Sequence, residues 1–379
     1  MTGERILTNA RLVLDDEVIR GTVALRNGHI HAIDSGTAAH NGAEDMDGDY
    51  LVPGLVELHT DNVESHAFPR PGVRWPMMPA LLGHDAAVAS AGITTVFDAL
   101  AIGHDVGKAY RQGLGEDVMR ALDSAAEADH LRSDHLLHLR CEISVPDMTE
   151  QFDRSRDHDR VRLVSIMDHT PGQRQFVDLD AYRRYYQGKY GVEADEMERQ
   201  ISERMEMQAR HAAPQRAHVV DWCRRAGIMM ASHDDATEAH VAEAAADGIA
   251  IAEFPTTVAA AREARRRGLT TVMGAPNLVR GGSHSGNVSA AALADAGLLD
   301  ALSSDYIPSS LLQSAWQLGH AGWSLSEAIA PVTRQPACMA GLTDRGRIAL
   351  ALRADLVRVR DTGEGPIVRR VWREGRIVA

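Results

Sequence analysis

Lysine is almost absent from this chain. The only two are Lys108 and Lys189, so nearly all the positive charge is arginine. Genomic base composition accounts for such a bias by itself, although arginine is also the cation that grips phosphate in a bidentate fork. Cysteine is scarce as well. Cys141, Cys223 and Cys338 are scattered and odd in number, which argues against a disulfide framework and makes a reducing cytoplasm the expected compartment. No apolar run is long enough to cross a bilayer, and the first residues lack the basic-then-apolar pattern of a signal peptide, so no membrane partner is expected. Positive charge is not in excess: 53 acidic residues stand against 40 basic ones, a net charge of -13. That argues against a general nucleic-acid binder, which needs a basic face. It leaves room for a phosphorylated small molecule, because a local arginine cluster can sit in an acidic protein.

What is present is a large apolar fraction, 44% of 379 residues, enough for one large domain with a smaller satellite. Residues 1 to about 50 read as short strands and turns: Ile6-Leu7, Arg11 to Leu14, Thr22 to Leu25 and His29 to Ile33, with Asn27-Gly28 as a hairpin signal. The end of the chain reads alike, with strands at Arg347 to Leu350, Ala354 to Val359, Arg369 to Arg373 and Arg376 to Val378. A small β-sandwich domain of residues 1–52 and 341–379 is expected, enclosing a domain of residues 53–340.

That middle alternates strand and helix. Strands are expected at Leu55 to Leu58, Ile93 to Asp98, Leu136 to Ile143, Val161 to His169, Ile228 to His233, Ile249 to Phe254, Leu269 to Ala275 and Asp300 to Asp305. Helical stretches fall between them, among them Pro79 to Ala91, Glu116 to His130 with its apolar face, and Thr237 to Asp247. Pro214 is expected at the first position of a helix. Eight short strands alternating with helices predict an α/β fold, a (β/α)8 barrel, and such barrels carry their chemistry at the carboxyl ends of the strands.

His59, Asp61, Glu142, His169, His233 and Asp305 all fall at those ends. His59 and Asp61 are two apart, so on an extended strand they point the same way. Each residue alone has an everyday role: Asp305 as a helix cap before Pro308, Glu142 as a partner of Arg140. Together they come from several strands and converge on one mouth. Imidazoles mixed with carboxylates suit one or two divalent ions of zinc, manganese, iron or nickel. Such an ion acidifies a bound water, and Asp305 is placed to orient that water and take its proton. Asp234 and Asp235 are read either as orienters of the ligands or as helix caps.

Two segments could hold an anion. Val279-Arg280-Gly281-Gly282-Ser283-His284-Ser285-Gly286-Asn287 follows the seventh strand, where barrels often bind phosphate. Arg280, Ser283, His284 and Asn287 are its candidate contacts; an unliganded Gly-rich turn is the bland alternative. The second is an insertion rich in tyrosine in a chain only 4% aromatic, with Gln173, Arg174, Tyr186 and Lys189 as candidates; a lid packed by tyrosines is equally compatible. Arg70 and Arg74 are weaker candidates.

With Pro53-Gly-Leu-Val-Glu-Leu-His59 opening the barrel and a late strand ending in Asp305, the chain resembles the amidohydrolase superfamily. His59-Thr-Asp-Asn, Ser232-His-Asp-Asp-Ala-Thr, Ala252-Glu-Phe-Pro-Thr-Thr, Gly274-Ala-Pro-Asn-Leu-Val-Arg-Gly-Gly-Ser-His-Ser-Gly-Asn and Ser303-Ser-Asp-Tyr are similar to one branch of it. That branch is the alpha-D-ribose 1-methylphosphonate 5-triphosphate diphosphatases of the carbon–phosphorus lyase pathway. The resemblance covers essentially the whole chain. It implies metal-dependent hydrolysis of a phosphorus anhydride in a phosphorylated sugar, giving the 5-phosphate and pyrophosphate. It leaves a homo-oligomer open. Asp61 stands where the superfamily usually has a second histidine, and no lysine lies on the fourth strand to bridge two metals. Glu142 is the substitute bridge, and His169 fills the coordination place left by a sixth strand without histidine. The same fold would also serve a cyclic amidohydrolase or deaminase acting on a C–N bond.

Overall fold

The computed structural model describes residues 4–37, 42–103, 111, 113–176, 179–180, 182–183, 193–283 and 286–379. The chain opens with β1 (Arg5–Val13), β2 (Val18–Arg26), β3 (His29–Ser35), β4 (Glu44–Asp45) and β5 (Tyr50–Pro53). Asn27 and Gly28 join β2 to β3 with φ of 52° and 80°, the two left-handed residues that a tight hairpin turn requires.

The barrel follows as β6 (Leu55–Thr60), β7 (Ile93–Ile102), β8 (Asp134–Glu142), β9 (Val161–Met167), β10 (Met229–His233), β11 (Ile251–Glu253), β12 (Thr270–Gly274) and β13 (Ala301–Ser303). These eight strands are parallel and lie side by side in chain order. The Asp305 N–H donates to the His59 carbonyl at 3.2 Å and so draws the end of β13 toward β6, leaving the barrel nearly closed. A layer of Leu58, Phe97, Leu136, Leu163, Ala231, Ile251, Val272 and Ala301, one residue from each strand, fills the interior. Met339, on the helix Arg334–Met339, packs against that layer.

The chain then returns to the first sheet with β14 (Leu356–Asp361), β15 (Pro366–Arg373) and β16 (Arg376–Ile377). β14 runs antiparallel to β5, so strands from both termini form one mostly antiparallel sheet. Arginines tie this sheet to the barrel: Arg345, Arg353 and Arg373 all reach the Asp134 carboxylate at the start of β8, at 2.8, 2.6 and 3.2 Å. Arg347 to Leu350 forms no strand. Ile348 is drawn into the sheet's core and Arg347 pairs with Asp15, which anchors the segment without a ladder.

Pro214 also differs from expectation. It lies inside the 33-residue helix Ala194–Ala226 and not at its start. Its ring sits on the exposed face, where the helix forgoes one hydrogen bond near water.

Between the barrel wall and the helix Met77–Ser90 lies a buried polar network. Residues of β7 alternate, so Phe97 enters the barrel while Asp98 faces out toward this helix. Asp98 accepts from His84 Nε2 at 2.7 Å and from His135 Nδ1 at 2.7 Å. The other nitrogen of His135 donates to Asp85 at 3.3 Å, and Asp85 also accepts the backbone N–H groups of Arg132 and Ser133. His84 Nδ1 accepts from the Asn62 amide at 3.0 Å. Asn62 in turn donates its backbone N–H to Thr60, whose hydroxyl donates to the Asp305 carbonyl at 2.5 Å. The network thus braces, from outside the barrel, the loop that follows His59.

Candidate metal centre at the barrel mouth

The end of β8 shows how the sequence aims side chains inward. Leu137, Leu139 and Cys141 face the helical layer, while Leu136, His138, Arg140 and Glu142 face the barrel axis. β6, β10 and β11 deliver His59, His233 and Glu253 to the same mouth. Asp234, Phe254 and Asp305, each just past a strand end, adopt left-handed φ of 57°, 54° and 55°. In each case the backbone N–H still bonds the adjacent strand: Asp234 to Glu253, Phe254 to Val272, Asp305 to His59. Non-glycine residues held in this region cost energy and cluster at functional sites.

Glu253 is the hub. Its two oxygens accept from His59 Nδ1 and His233 Nδ1, both at 2.7 Å. Burial alone would raise this carboxyl, but the His59 imidazole beside it and the hydrogen bonds from His233 and His59 hold it well below the usual range. Fixing each Nδ1–H leaves Nε2 as the coordinating atom of both rings. Glu142 treats His169 the same way, accepting its Nδ1–H at 2.5 Å and its backbone N–H at 3.1 Å. Burial disfavours charge on both, yet their mutual attraction lowers Glu142 to about 2 and raises His169 to about 9.

Among the described residues three groups of donors can hold an ion, two of them at the mouth, His169, His233 and Asp234, and His59, His138 and Glu253; the third, His84, Asp98 and His135, is the buried network outside the barrel wall. In the first, Asp234 Oδ2 lies 3.5 Å from His233 Nε2 and 3.7 Å from His169 Nε2. These gaps are too long for hydrogen bonds. They match the roughly 3.4 Å that separates two ligand atoms each about 2.1 Å from a tetrahedral ion. In the second, His138 Nε2 is buried and has no hydrogen-bond partner among the described residues. Burial pushes His138 down to about 3, so the ring is neutral and its lone pair free. The donor chemistry fits a divalent cation.

Asp305 stands beside His59 on the cavity wall. Burial and the neighbouring Asp61 charge raise its carboxyl, while His59 and Arg140 pull the other way. Asp61 itself belongs to neither donor group. The alternation that aligned it with His59 ends at Thr60. Asp61 has φ -97° and ψ 15° and begins the helix Asn62–Ala67, with its carboxylate 3.9 Å from Arg140.

The cavity above the donors has a volume of about 210 Å³. Arg280, Gly282, Ser283 and Asn287 line it, brought there by the short helix Ala275–Arg280 and the turn after it. Gln173 and Arg174 do not line it; Gln175 does. Arg174 is turned inward, paired with buried Asp235 and bonded to Glu243 at 3.0 Å. Asp235 is therefore no helix cap, and Thr237 fills that role. The cap of the helix Ser310–His320 is Ser309, not Asp305. Arg74 pairs with Asp117 away from the mouth. His284, Tyr186 and Lys189 lie outside the described residues.

Glu253, His138 and Glu57 were not singled out from the sequence. Burial pushes Glu57 up to about 7 even though Ser303, Ser304 and the His59 N–H all donate to it. A lone acid in the apolar run Ile249 to Phe254, and the polar alternation of β8, were the available signals.

No family model matches the sequence. The chain is 44% identical over 376 residues to alpha-D-ribose 1-methylphosphonate 5-triphosphate diphosphatase of Escherichia coli (strain K12), covering 98% of this chain and 100% of that one. Among solved structures, a 5-methylcytosine deaminase from Klebsiella pneumoniae matches with a TM-score of 0.65 at 16% identity, over 99% of this chain and 98% of that chain. An N-acetyl-D-glucosamine-6-phosphate deacetylase from Mycobacterium smegmatis matches with 0.62 at 16% identity over 100% of both. An amidohydrolase matches with 0.64 at 16% identity, over 99% and 98%. At such identity these three speak for the fold alone. The full-length relative speaks for more, and the chain belongs to the alpha-D-ribose 1-methylphosphonate 5-triphosphate diphosphatase family.

Proposed function

We propose that this protein hydrolyses alpha-D-ribose 1-methylphosphonate 5-triphosphate to the 5-phosphate and pyrophosphate. The observation that carries the reading is the 44% identity, spread over 98% of the chain, to a relative named for that substrate. The mouth supports it, since it joins metal-capable donors to a cavity lined by Arg140 and Arg280. His169, His233 and Asp234, with His59 and Asp305 alongside, would hold the ion; Glu142 and Glu253 orient the imidazoles. Zinc, manganese, iron and nickel all accept this donor set. When bound, such an ion acidifies a coordinated water and draws charge from a phosphoryl oxygen.

Asp305 accepts the proton of the attacking water. The new oxygen–phosphorus bond forms as the anhydride bond breaks, and pyrophosphate leaves. Arg280, Ser283 and Asn287 bind the phosphate chain at the rim. The free cysteines, two of them buried, are in keeping with a cytoplasmic setting. A panel of triphosphate, cyclic amide and aminopyrimidine substrates tests the reading. Pyrophosphate release is expected from the first alone; ammonia or a ring-opened acid in its place would move the enzyme to C–N chemistry.

Glu253→Gln is expected to weaken divalent-metal affinity by about 10- to 100-fold, because the two imidazoles lose the carboxylate that fixes them. Competition against a chromophoric chelator measures this, with circular dichroism to verify the fold. Unchanged affinity would remove Glu253 from the ligand-orienting role.

A further inference from the structure

Arg140 stands in the row His138, Arg140, Glu142 that β8 turns into the mouth, and it lines the cavity beside His59, His169 and Asp305. Its side chain is 14% exposed. Its Nε is buried with no hydrogen-bond partner among the described residues. The carboxylate of Asp61 is 3.9 Å from Nη1, beyond hydrogen-bonding distance. The arginines beyond the mouth are placed otherwise: Arg174 is locked to Asp235 and Arg74 to Asp117.

A guanidinium has five donors in a planar fork, and leaving even one of them, here Nε, unmet in a buried place is costly. The ligand that would meet them is an anion with paired oxygens, which a phosphoryl group supplies. A neutral ring amide brings no negative charge to the fork. Taking the triphosphate reading as its basis, we infer that Arg140 binds the two phosphoryl groups that flank the anhydride bond that breaks, one of which leaves in pyrophosphate, and selects phosphorus over carbon substrates at this mouth. Arg280, exposed where it lines the cavity, suits the distal end of the phosphate chain.

The test uses the metal-loaded enzyme with Arg140→Ala, Arg140→Met and Arg140→Lys. The Ala and Met variants are expected to lose about 10²- to 10³-fold in kcat/KM, the usual cost of one donor aimed at developing charge. Arg140→Lys recovers only part of it, because a point charge lacks the fork. Metal content stays at the wild-type level. Pyrophosphate binds the Ala variant at least about tenfold more weakly by calorimetry, and added guanidinium ion restores part of the activity of that variant. A purely structural role would produce neither the rescue nor the selective loss of pyrophosphate binding. Should the Ala variant not fold, the Lys variant and its pyrophosphate affinity carry the test. Variants within about threefold of wild type in both kcat/KM and pyrophosphate affinity would overturn the inference about Arg140 alone. A metal-loaded wild type that leaves the triphosphate intact would overturn the functional reading and this inference with it.

Discussion

Asp305→Asn is expected to lower kcat by about 10²- to 10⁴-fold, the range that positioned proton acceptors contribute, with metal content unchanged. Asparagine is nearly isosteric and tolerates the left-handed backbone that residue 305 adopts, so the substitution adds little strain. The backbone N–H to His59 and the carbonyl contact from Thr60 persist, because neither uses the side chain. What is lost is a carboxylate able to take a proton. Near-normal turnover would remove Asp305 from the mechanism. Loss of metal along with activity would make it primarily a ligand.

The second large effect concerns stability. Asp98→Ala is expected to cost about 3–5 kcal/mol, since it strips two histidines of a fully buried partner. The urea midpoint measures it, and a loss below about 1 kcal/mol would show that the network relaxes freely. The wild type should carry a matching pH signature. Burial opposes charge on His135, but Asp98 and Asp85 outweigh it and raise the imidazole from 6.5 to about 9. Burial likewise opposes charge on Asp98, and His135 and His84 hold it well below its ordinary 3.8. A raised histidine stabilises fully below its unfolded value and loses that contribution as pH climbs through about 9. A depressed carboxylate stabilises above its unfolded value and fails in acid. The contribution of the pair is therefore complete between about 4 and 6.5 and drains toward pH 9 and above. Asp98→Ala should flatten the alkaline side of the stability curve.

The barrel was legible because its signals are local. An apolar run that stops at His59, His233 or Asp305 marks both the strand and the end that carries chemistry. His169 and Glu142 were found the same way, and the structure brings them into hydrogen-bonding contact. Signals that depend on which face turns inward were harder to read. His138 lies in mid-strand, and only the register of β8 shows that it enters the mouth. Glu253 gives no such local signal, because its carboxylate serves the histidines of two other strands.

Asp61 shows the limit of a spacing rule. Period-two alternation holds only while the backbone is extended, and here it bends at the residue in question. Arg174 shows a limit of charge patterns: an arginine near a site reads alike whether it meets a ligand or a buried aspartate. The partner, Asp235, is 61 residues away.

Phosphorus NMR of the protein with a divalent metal and alpha-D-ribose 1-methylphosphonate 5-triphosphate tests the central claim most directly. The account predicts that the triphosphate resonances give way to pyrophosphate and a 5-monophosphate sugar, with the phosphonate signal retained, and that a chelator stops the conversion. An unchanged spectrum from protein shown to hold metal would contradict it and return the site to carbon–nitrogen substrates.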